Sequence, residues 1–193
     1  MKLTKEGLKS AEWKSKGYSL PEFDFDNVQK NTFENPFWIH FGAGNIFRAF
    51  QANVVQNLLN EGVIDSGLVV AEGYDYEIIE KMYRPHDNVG ALVTLKGNGS
   101  VEKTVVASIM EALTADSENQ KDWERLLEIF RKPSLQMVSF TITEKGYLLK
   151  KANGEFMPGV EDDFANGPVL PRSYIGKVVT CIHERFVNGE LPV

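Results

Sequence analysis

Apolar and polar positions along residues 36–73 follow a pattern that predicts a strand, a helix and a second strand. The apolar run "FWIHFG" comes directly after Pro36 and predicts a short buried strand that enters a glycine turn. From Asn45 to Gly62, apolar residues recur at helical spacing, which predicts one amphipathic helix. The β-branched run "GLVVAEG" at 67–73 predicts a strand covered on both faces, and it completes a βαβ unit.

Later segments continue the mixture of strands and helices. The stretch "ALVTLKGNGSVEKTVVASI" predicts a hairpin joined at Asn98-Gly99, a dipeptide that favours tight turns. The stretch "ENQKDWERLLEIFRK" predicts a helix that stops before a proline, and "LQMVSFTIT" at 135–143 predicts another strand. Residues 151–171 are rich in Gly, Pro and Asp, which indicates a loop before a final helix from Ser173 to Val187.

This order of elements predicts an α/β fold: a Rossmann-like, mostly parallel sheet with an inserted β-hairpin. Three core parallel strands are expected, and the sheet is expected to be incomplete at the C-terminus, because the chain stops at "NGELPV" directly after a helix. Residues 1–35 lack a sustained period and predict an irregular N-terminal arm. Four aromatic residues are expected to hold this arm against the body: Trp13, Tyr18, Phe23 and Phe25.

Composition narrows the class of protein. A net charge of -6 without a basic stripe argues against a nucleic-acid partner. The apolar runs are far shorter than the roughly 20 residues that cross a bilayer, so no membrane association is expected. The only cysteine, Cys181, allows no internal disulfide, which favours a reducing, cytoplasmic location. No histidine or cysteine has partners at metal-ligand spacing, so no metal site is predicted.

The glycine turn carries the clearest candidate chemistry. Gly42 and Gly44 lack a Cβ and let the backbone approach a pyrophosphate, and the following helix start offers unpaired N–H groups. A third glycine is absent, because Phe47 takes its place, and the spacing alone also suits a structural tight turn. The strand before and the helix after favour a cofactor turn made by residues 42–46, namely Gly42, Ala43, Gly44, Asn45 and Ile46.

Charged residues near this turn are candidates for the rest of a dinucleotide site. A carboxylate at the end of the second strand could accept hydrogen bonds from both ribose hydroxyls of the adenosine half; Glu72 is preferred over Asp75 for this role, which favours NAD and leaves NADP open. The alternative is a solvated acidic loop. Arg48, in the first helical turn, could reach a phosphate or pair with a surface carboxylate.

The segment "FTITEKGY" places polar side chains at the end of a third strand. Thr141, Thr143 and Glu144 are expected at the carboxyl edge of the sheet, where ligands bind in such folds. The alternative is that the threonines merely suit a strand and that Glu144 caps a turn. His40, inside the first strand, is expected to be a hydrogen-bonded core residue.

Two motifs resemble the polyol-specific long-chain dehydrogenase family: "HFGAGNIFRAFQA" and "TITEKGY". The family pattern GxGNxxR is matched by Gly42, Gly44, Asn45 and Arg48, and the resemblance extends from about residue 36 to the end. It departs at 49–51, where "AFQ" stands in place of the "AHQ" of many members.

The resemblance implies metal-free, reversible hydride transfer between NAD(H) or NADP(H) and a ketose, polyol or hexuronate. Lys145 favours the uronate-reducing branch, fructuronate reductase (mannonate oxidoreductase), over mannitol 2-dehydrogenase. The family's catalytic lysine, asparagine and histidine belong to a helical C-terminal domain, and no residue here matches them.

The expected organisation is therefore an arm (1–35) and a partial NAD(P)-binding domain (36–193) of an N-terminal fragment. Such a fragment would bind NAD(H) weakly, turn over no sugar substrate by itself, and could self-associate through an unpaired sheet edge. The alternative of another class is a non-catalytic nucleotide-binding or interaction module.

Overall fold

The computed structural model describes residues 1–189, apart from the side chain of Lys145. The expectation that the chain stops just before a further strand concerns residues 190–193, which lie outside the described residues. Seven strands lie in the described part: β1 (Tyr18–Ser19), β2 (Trp38–Phe41), β3 (Leu68–Glu72), β4 (Gly90–Leu95), β5 (Val101–Val106), β6 (Ile109–Thr114) and β7 (Met137–Phe140). The α-helices there are α1 (Glu12–Ser15), α2 (Phe25–Glu34), α3 (Asn45–Ala49), α4 (Gln51–Asn60), α5 (Tyr76–Ile78), α6 (Gln120–Arg131), α7 (Val160–Asn166) and α8 (Tyr174–Val187).

The larger sheet has four parallel strands in the order β6-β3-β2-β7. Central β2 pairs with β3 through Ile39 and Val69, and with β7 through Ile39 and Val138. Every residue of β3 is buried, as expected for a strand covered on both faces. The order matches the first four strands of a Rossmann sheet, in which consecutive strands are added on one side and then on the other side of the first strand. The predicted fold class is confirmed.

Helices bury the two faces of this sheet in separate apolar clusters. On one face, α3 and α4 pack Phe47, Val55 and Leu59 against Val70 and its neighbours. On the other face, α6 and α8 cover β2 and β3. The core residues of this second cluster include Ile39, Phe41, Val69, Leu126, Ile129, Phe130, Val178 and Cys181. These two layers fix the carboxyl ends of β2, β3 and β7 relative to one another.

The expected count of three core parallel strands is wrong, because β6 is a fourth. It pairs with β3 from Leu68 to Glu72. The charged residue Glu111 interrupts the apolar pattern of β6, and its carboxylate is paired with Arg125 of α6 at 2.6 Å. Because a charged residue interrupts the apolar run of this nearly buried strand, a search for hydrophobic runs in the sequence does not detect it.

The predicted hairpin is present, since β4 and β5 pair antiparallel, but it belongs to a second sheet of order β1-β5-β4. The N-terminal arm is not irregular as expected, because it supplies β1 and the ten-residue α2. Asp24 caps α2 by accepting a 3.1 Å hydrogen bond from the Asn27 N–H. The arm is held by its aromatic residues: Trp13 is buried, and Tyr18 packs beside it.

Three predicted boundaries differ from the structure. The single helix expected from Asn45 breaks at Phe50, where ψ is -74°, into α3 and α4. The strand expected over 135–143 is shorter, since β7 ends at Phe140. The loop expected over 151–171 contains α7, because the Asp163 carboxylate accepts hydrogen bonds from the backbone at the start of α8 and so organises that segment.

Candidate functional site

The two glycines of the turn after β2 have different environments. Gly42 is buried, with φ at +116°, a conformation that residues with a Cβ rarely adopt. A Cβ at this position would lie 2.7 Å from the Thr141 carbonyl oxygen. Gly42 is therefore required by the close approach of the segment after β7, and it has no open face for a ligand.

Gly44 is exposed, and a Cβ there would meet no atom within 4 Å. It is the N-cap residue of α3, so the N–H groups of Asn45 and Ile46 in the first turn have no acceptor inside the helix. Asn45 and Ile46 are also exposed. The open part of the turn therefore presents bare backbone and N–H donors to solvent, a geometry that suits a phosphate.

Glu72 joins the glycine turn to the end of β3. Its Oε2 atom accepts a hydrogen bond of 2.8 Å from the Ala43 N–H. Its Oε1 atom accepts bonds of 3.0, 2.9 and 3.3 Å from the N–H groups of Gly73, Tyr74 and Asp75. The carboxylate is buried and uses most of its acceptor capacity on backbone.

Asp75 lies three residues further along and is exposed. Because its carboxylate is in solvent, it has more capacity than Glu72 to accept hydrogen bonds from a ligand. Both acids predicted from the sequence thus lie at the end of β3: Glu72 is buried and Asp75 is exposed.

Arg48 lies beside the turn rather than on a distant surface. Its Nη2 donates to the Asn45 side chain, and its guanidinium lies 5.7 Å from the centre of the Tyr83 ring. The Tyr83 hydroxyl donates a 2.8 Å hydrogen bond to the Ala43 carbonyl, so Tyr83 supports both the turn and the arginine. A cavity of about 290 Å³ is lined here by Asn45, Arg48, Met82, Tyr83, Asn88 and residues of the hairpin.

The Thr141 hydroxyl is part of a partly buried chain of hydrogen-bonded side chains behind the turn. It lies 2.8 Å from His40 Nε2, while His40 Nδ1 lies 2.7 Å from the Ser139 hydroxyl, which also accepts from the Trp38 indole N–H. The His40 ring stacks on Phe47. Burial lowers the pKa of His40 to about 4, so the ring is neutral at pH 7. The expectation of a hydrogen-bonded core histidine is confirmed.

Thr143 and Glu144 follow β7 and are exposed. Glu144 begins a single 3₁₀ turn, Glu144–Gly146. Thr141 is thus tied to the glycine turn through Gly42, whereas Thr143 and Glu144 have no described contact with it.

The sequence reading missed two tyrosines at this edge. Tyr83 ends the helical segment that follows α5, and Tyr174 is the first residue of α8. Tyr174 is buried against Gly73 and Phe41, and its hydroxyl has no hydrogen-bond partner among the described residues. In the sequence, only the spacing of aromatic residues along the helical segments marks these two tyrosines. That spacing does not show which turn they contact.

No helix within residues 1–189 has the length and hydrophobicity needed to cross a bilayer. In the same part of the chain, no three His, Cys, Asp or Glu side chains cluster in a way that could hold a metal ion.

Comparison with known proteins gave matches along the whole chain. No protein-family model matches it. D-mannonate oxidoreductase from Thermotoga maritima is 51% identical over 194 residues, which cover 100% of this chain and 36% of that protein. D-mannonate oxidoreductase from Escherichia coli is 31% identical over 157 residues, covering 78% of this chain and 31% of that protein.

A solved structure has the same fold. Mannitol 2-dehydrogenase from Pseudomonas fluorescens, in a ternary complex with NAD and D-mannitol, superposes with a TM-score of 0.76 at 25% identity. The match covers 98% of this chain and 37% of that one. The chain spans about a third of the length of the relatives it matches.

Proposed function

With its resemblance to the polyol-specific long-chain dehydrogenases confirmed over the whole chain, we propose that this protein is the cofactor-binding part of an NAD(P)-dependent oxidoreductase. The reaction would interconvert a keto-uronate or ketose and its alcohol. The observation that carries the proposal is the open glycine turn: Gly44 is exposed at the end of central β2, between β3 and β7. That position is where the strand order reverses, and dinucleotides bind there in this fold.

The residues at the turn fit a dinucleotide. Gly44 offers bare backbone, Asn45 and Ile46 offer N–H donors, and Arg48 adds a positive charge beside them. The Arg48 Nε atom is buried without a hydrogen-bond partner among residues 1–189, so it has a donor to offer an anion. The nicotinamide ring, when bound, supplies or accepts the hydride.

The described residues would each have a separate task. Glu72 accepts a hydrogen bond from the Ala43 N–H and Tyr83 donates one to the Ala43 carbonyl, so the two side chains would keep the turn in shape. Asp75 would accept hydrogen bonds from the adenosine ribose, which favours NAD over NADP because a 2′-phosphate would meet a like charge. Thr141, Thr143 and Glu144 would line the nicotinamide side.

For the substrate, we favour D-mannonate and its oxidised form fructuronate, because the relative with 51% identity is named D-mannonate oxidoreductase. Lys145 gave the same indication from the sequence. Fructose and mannitol are the second candidate pair, favoured by the structural match to mannitol 2-dehydrogenase. The rates of NADH oxidation with fructuronate and with fructose, measured on the complete gene product, separate the two.

Cofactor binding is tested by titrating the chain with NADH and NADPH in a calorimeter. Gly44→Val should abolish binding, because its side chain would occupy the phosphate position, while Gly97→Val is the matched control. Gly97 also has open space around it, but it lies in the β4–β5 hairpin. Binding that survives Gly44→Val, or that Gly97→Val removes equally, would contradict the site.

Two further proposals concern the chain as a whole. A cytoplasmic location is supported by the use of a single cysteine, which is buried and unpaired.

Self-association is supported by β7, which pairs with β2 on one side and is the last described strand of its sheet. A single monomeric species in sedimentation would count against it.

A further inference from the structure

Two tyrosine rings stack at the carboxyl end of β3. The centroids of Tyr74 and Tyr174 lie 4.9 Å apart, and the planes differ by 15°. Tyr174 is 7% exposed, whereas Tyr74 is 57% exposed. One ring is therefore part of the core, and the other lies on top of it with much of its surface in solvent.

The ring beneath the exposed one is fixed by packing, and the backbone of Tyr74 is fixed by a hydrogen bond. Tyr174 packs directly over Gly73, where a Cβ would lie 2.3 Å from its ring, and edge-on against Phe41. The backbone N–H of Tyr74 donates a 2.9 Å hydrogen bond to Glu72. An exposed aromatic side chain normally loses conformational entropy when a ligand fixes it, and here much of that cost is already met by folding.

The position of the pair relative to the sheet indicates which part of a dinucleotide it would meet. Tyr74 lies two residues after Glu72, at the end of β3, which adjoins β2 on the side away from β7. In this fold the strand next to the glycine-turn strand receives the adenosine half, and its carboxylate lies close to the ribose. The base attached to that ribose is then within reach of the ring.

The Tyr174 hydroxyl is a second, independent sign that a polar ligand approaches this place. It is buried and has no hydrogen-bond partner among residues 1–189. Burial and the nearby Glu72 carboxylate raise the pKa of Tyr174, so the group stays protonated and remains a donor. A buried donor without an acceptor is costly, and a ribose or phosphate oxygen would satisfy it.

We propose that Tyr74, supported by Tyr174, is the stacking platform for the adenine base of the nucleotide cofactor. This inference rests on the proposed function and extends it to a residue outside the glycine motif. Stacking on a planar base suits a rigid, half-exposed ring and requires no hydrogen-bond match to the base edge.

The test compares ligands with and without the base in a calorimeter. AMP carries the adenine, and ribose 5-phosphate keeps the sugar phosphate alone. Tyr74→Ala should weaken AMP binding about tenfold and leave ribose 5-phosphate binding unchanged. Tyr74→Phe keeps the ring and should retain AMP affinity within about twofold. The melting temperature of each variant reports folding, and the exposure of Tyr74 makes both changes tolerable.

The matched control is Phe186→Ala. Phe186 is 77% exposed and lies twelve residues after Tyr174 along α8, about 18 Å away by the rise of a helix. It should leave AMP affinity unchanged. Equal AMP affinity in Tyr74→Ala and wild type, or a loss of AMP affinity in Phe186→Ala as large as the loss in Tyr74→Ala, overturns the platform.

The two proposals fail in different ways. Wild type that binds NADH while Tyr74→Ala keeps full AMP affinity leaves the cofactor site standing and removes the platform. Wild type that binds neither NADH nor AMP overturns both.

Discussion

The Ala43 N–H donates a 2.8 Å hydrogen bond to the Oε2 atom of Glu72, a residue 29 positions away that ends the neighbouring strand. This bond connects the loop that would contact the cofactor to the most deeply buried strand of the sheet. The remaining oxygen of Glu72 holds the loop after β3 in the same way. One carboxylate therefore positions both loops at the carboxyl edge.

Replacing this carboxylate tests that role. Glu72→Gln keeps the size of the side chain but turns one acceptor oxygen into a donor, which would face a backbone N–H. We expect a loss of about 1–3 kcal/mol in the free energy of unfolding, measured by urea titration. Glu77→Gln is the control, since Glu77 is an exposed acid paired with Lys81, and this substitution should leave the free energy of unfolding unchanged within the error of the measurement. Equal stability of Glu72→Gln and wild type would show that the carboxylate is dispensable.

The two glycines should respond differently to the same methyl group. Gly42→Ala introduces a Cβ 2.7 Å from a carbonyl oxygen at a positive φ, so we expect a loss of several kcal/mol, about 3 or more, or failure to fold. Gly44→Ala has an ordinary φ of -74° and open space, so stability should change by less than about 1 kcal/mol. NADH affinity should fall in Gly44→Ala. Thermal melting and NADH titration give the two readouts, and similar melting temperatures for both variants would contradict the assignment.

The neutral state of His40 predicts a pH dependence of stability. Its pKa is about 4 in the folded chain against 6.5 for the ordinary side chain, so the unfolded state binds an additional proton between these values. Stability should therefore fall as the pH is lowered from 6.5 to 4, by up to about 3 kcal/mol.

His40→Gln cannot take up that proton and should show a flatter profile over the same window. Unfolding free energies of both proteins at pH 4.5, 5.5 and 7 measure the difference. Parallel profiles would mean that another group causes the loss.

The Tyr174 hydroxyl is expected to lower the stability of the folded chain and to raise its affinity for AMP. Tyr174→Phe removes a buried donor that lacks a partner and keeps the ring that supports Tyr74. We expect the free energy of unfolding to rise by about 1 kcal/mol. AMP affinity should fall, because the ligand loses that donor. A drop in stability would indicate that the hydroxyl has an acceptor in the folded chain, such as an ordered water.

The sequence predicted those elements of secondary structure that are determined by residues close together in the chain. The β2 strand, the glycine turn and β3 follow from an apolar run, two residues without a Cβ and a β-branched run, all within residues 36–73. The identity of the open glycine did not follow, because Gly42 is closed by Thr141, which lies 99 positions further along. The part of Glu72 in shaping the turn was equally hidden, since it depends on the register between β2 and β3.

Side chains that act through long-range contacts were the hardest to predict. The Tyr83 hydroxyl reaches Ala43 across 40 positions, and Tyr174 reaches Tyr74 across the sheet edge. The strand β6 was missed because its Glu111 is paired with Arg125, a contact that exists only after α6 has packed. In each case the residue pattern is compatible with several partners, and only the fold selects one.

The pairing of β1 with β5 has a consequence for synthesis on the ribosome. Tyr18 of the arm pairs with Lys103, so the arm leaves the ribosome long before its partner strand exists. Trp13 packs with Val89 and Val105, so these contacts form only after the hairpin has left the ribosome. The arm is thus synthesised before the hairpin but completes its packing only after it, and a nascent chain stalled before residue 101 lacks the strand β5 that covers Trp13.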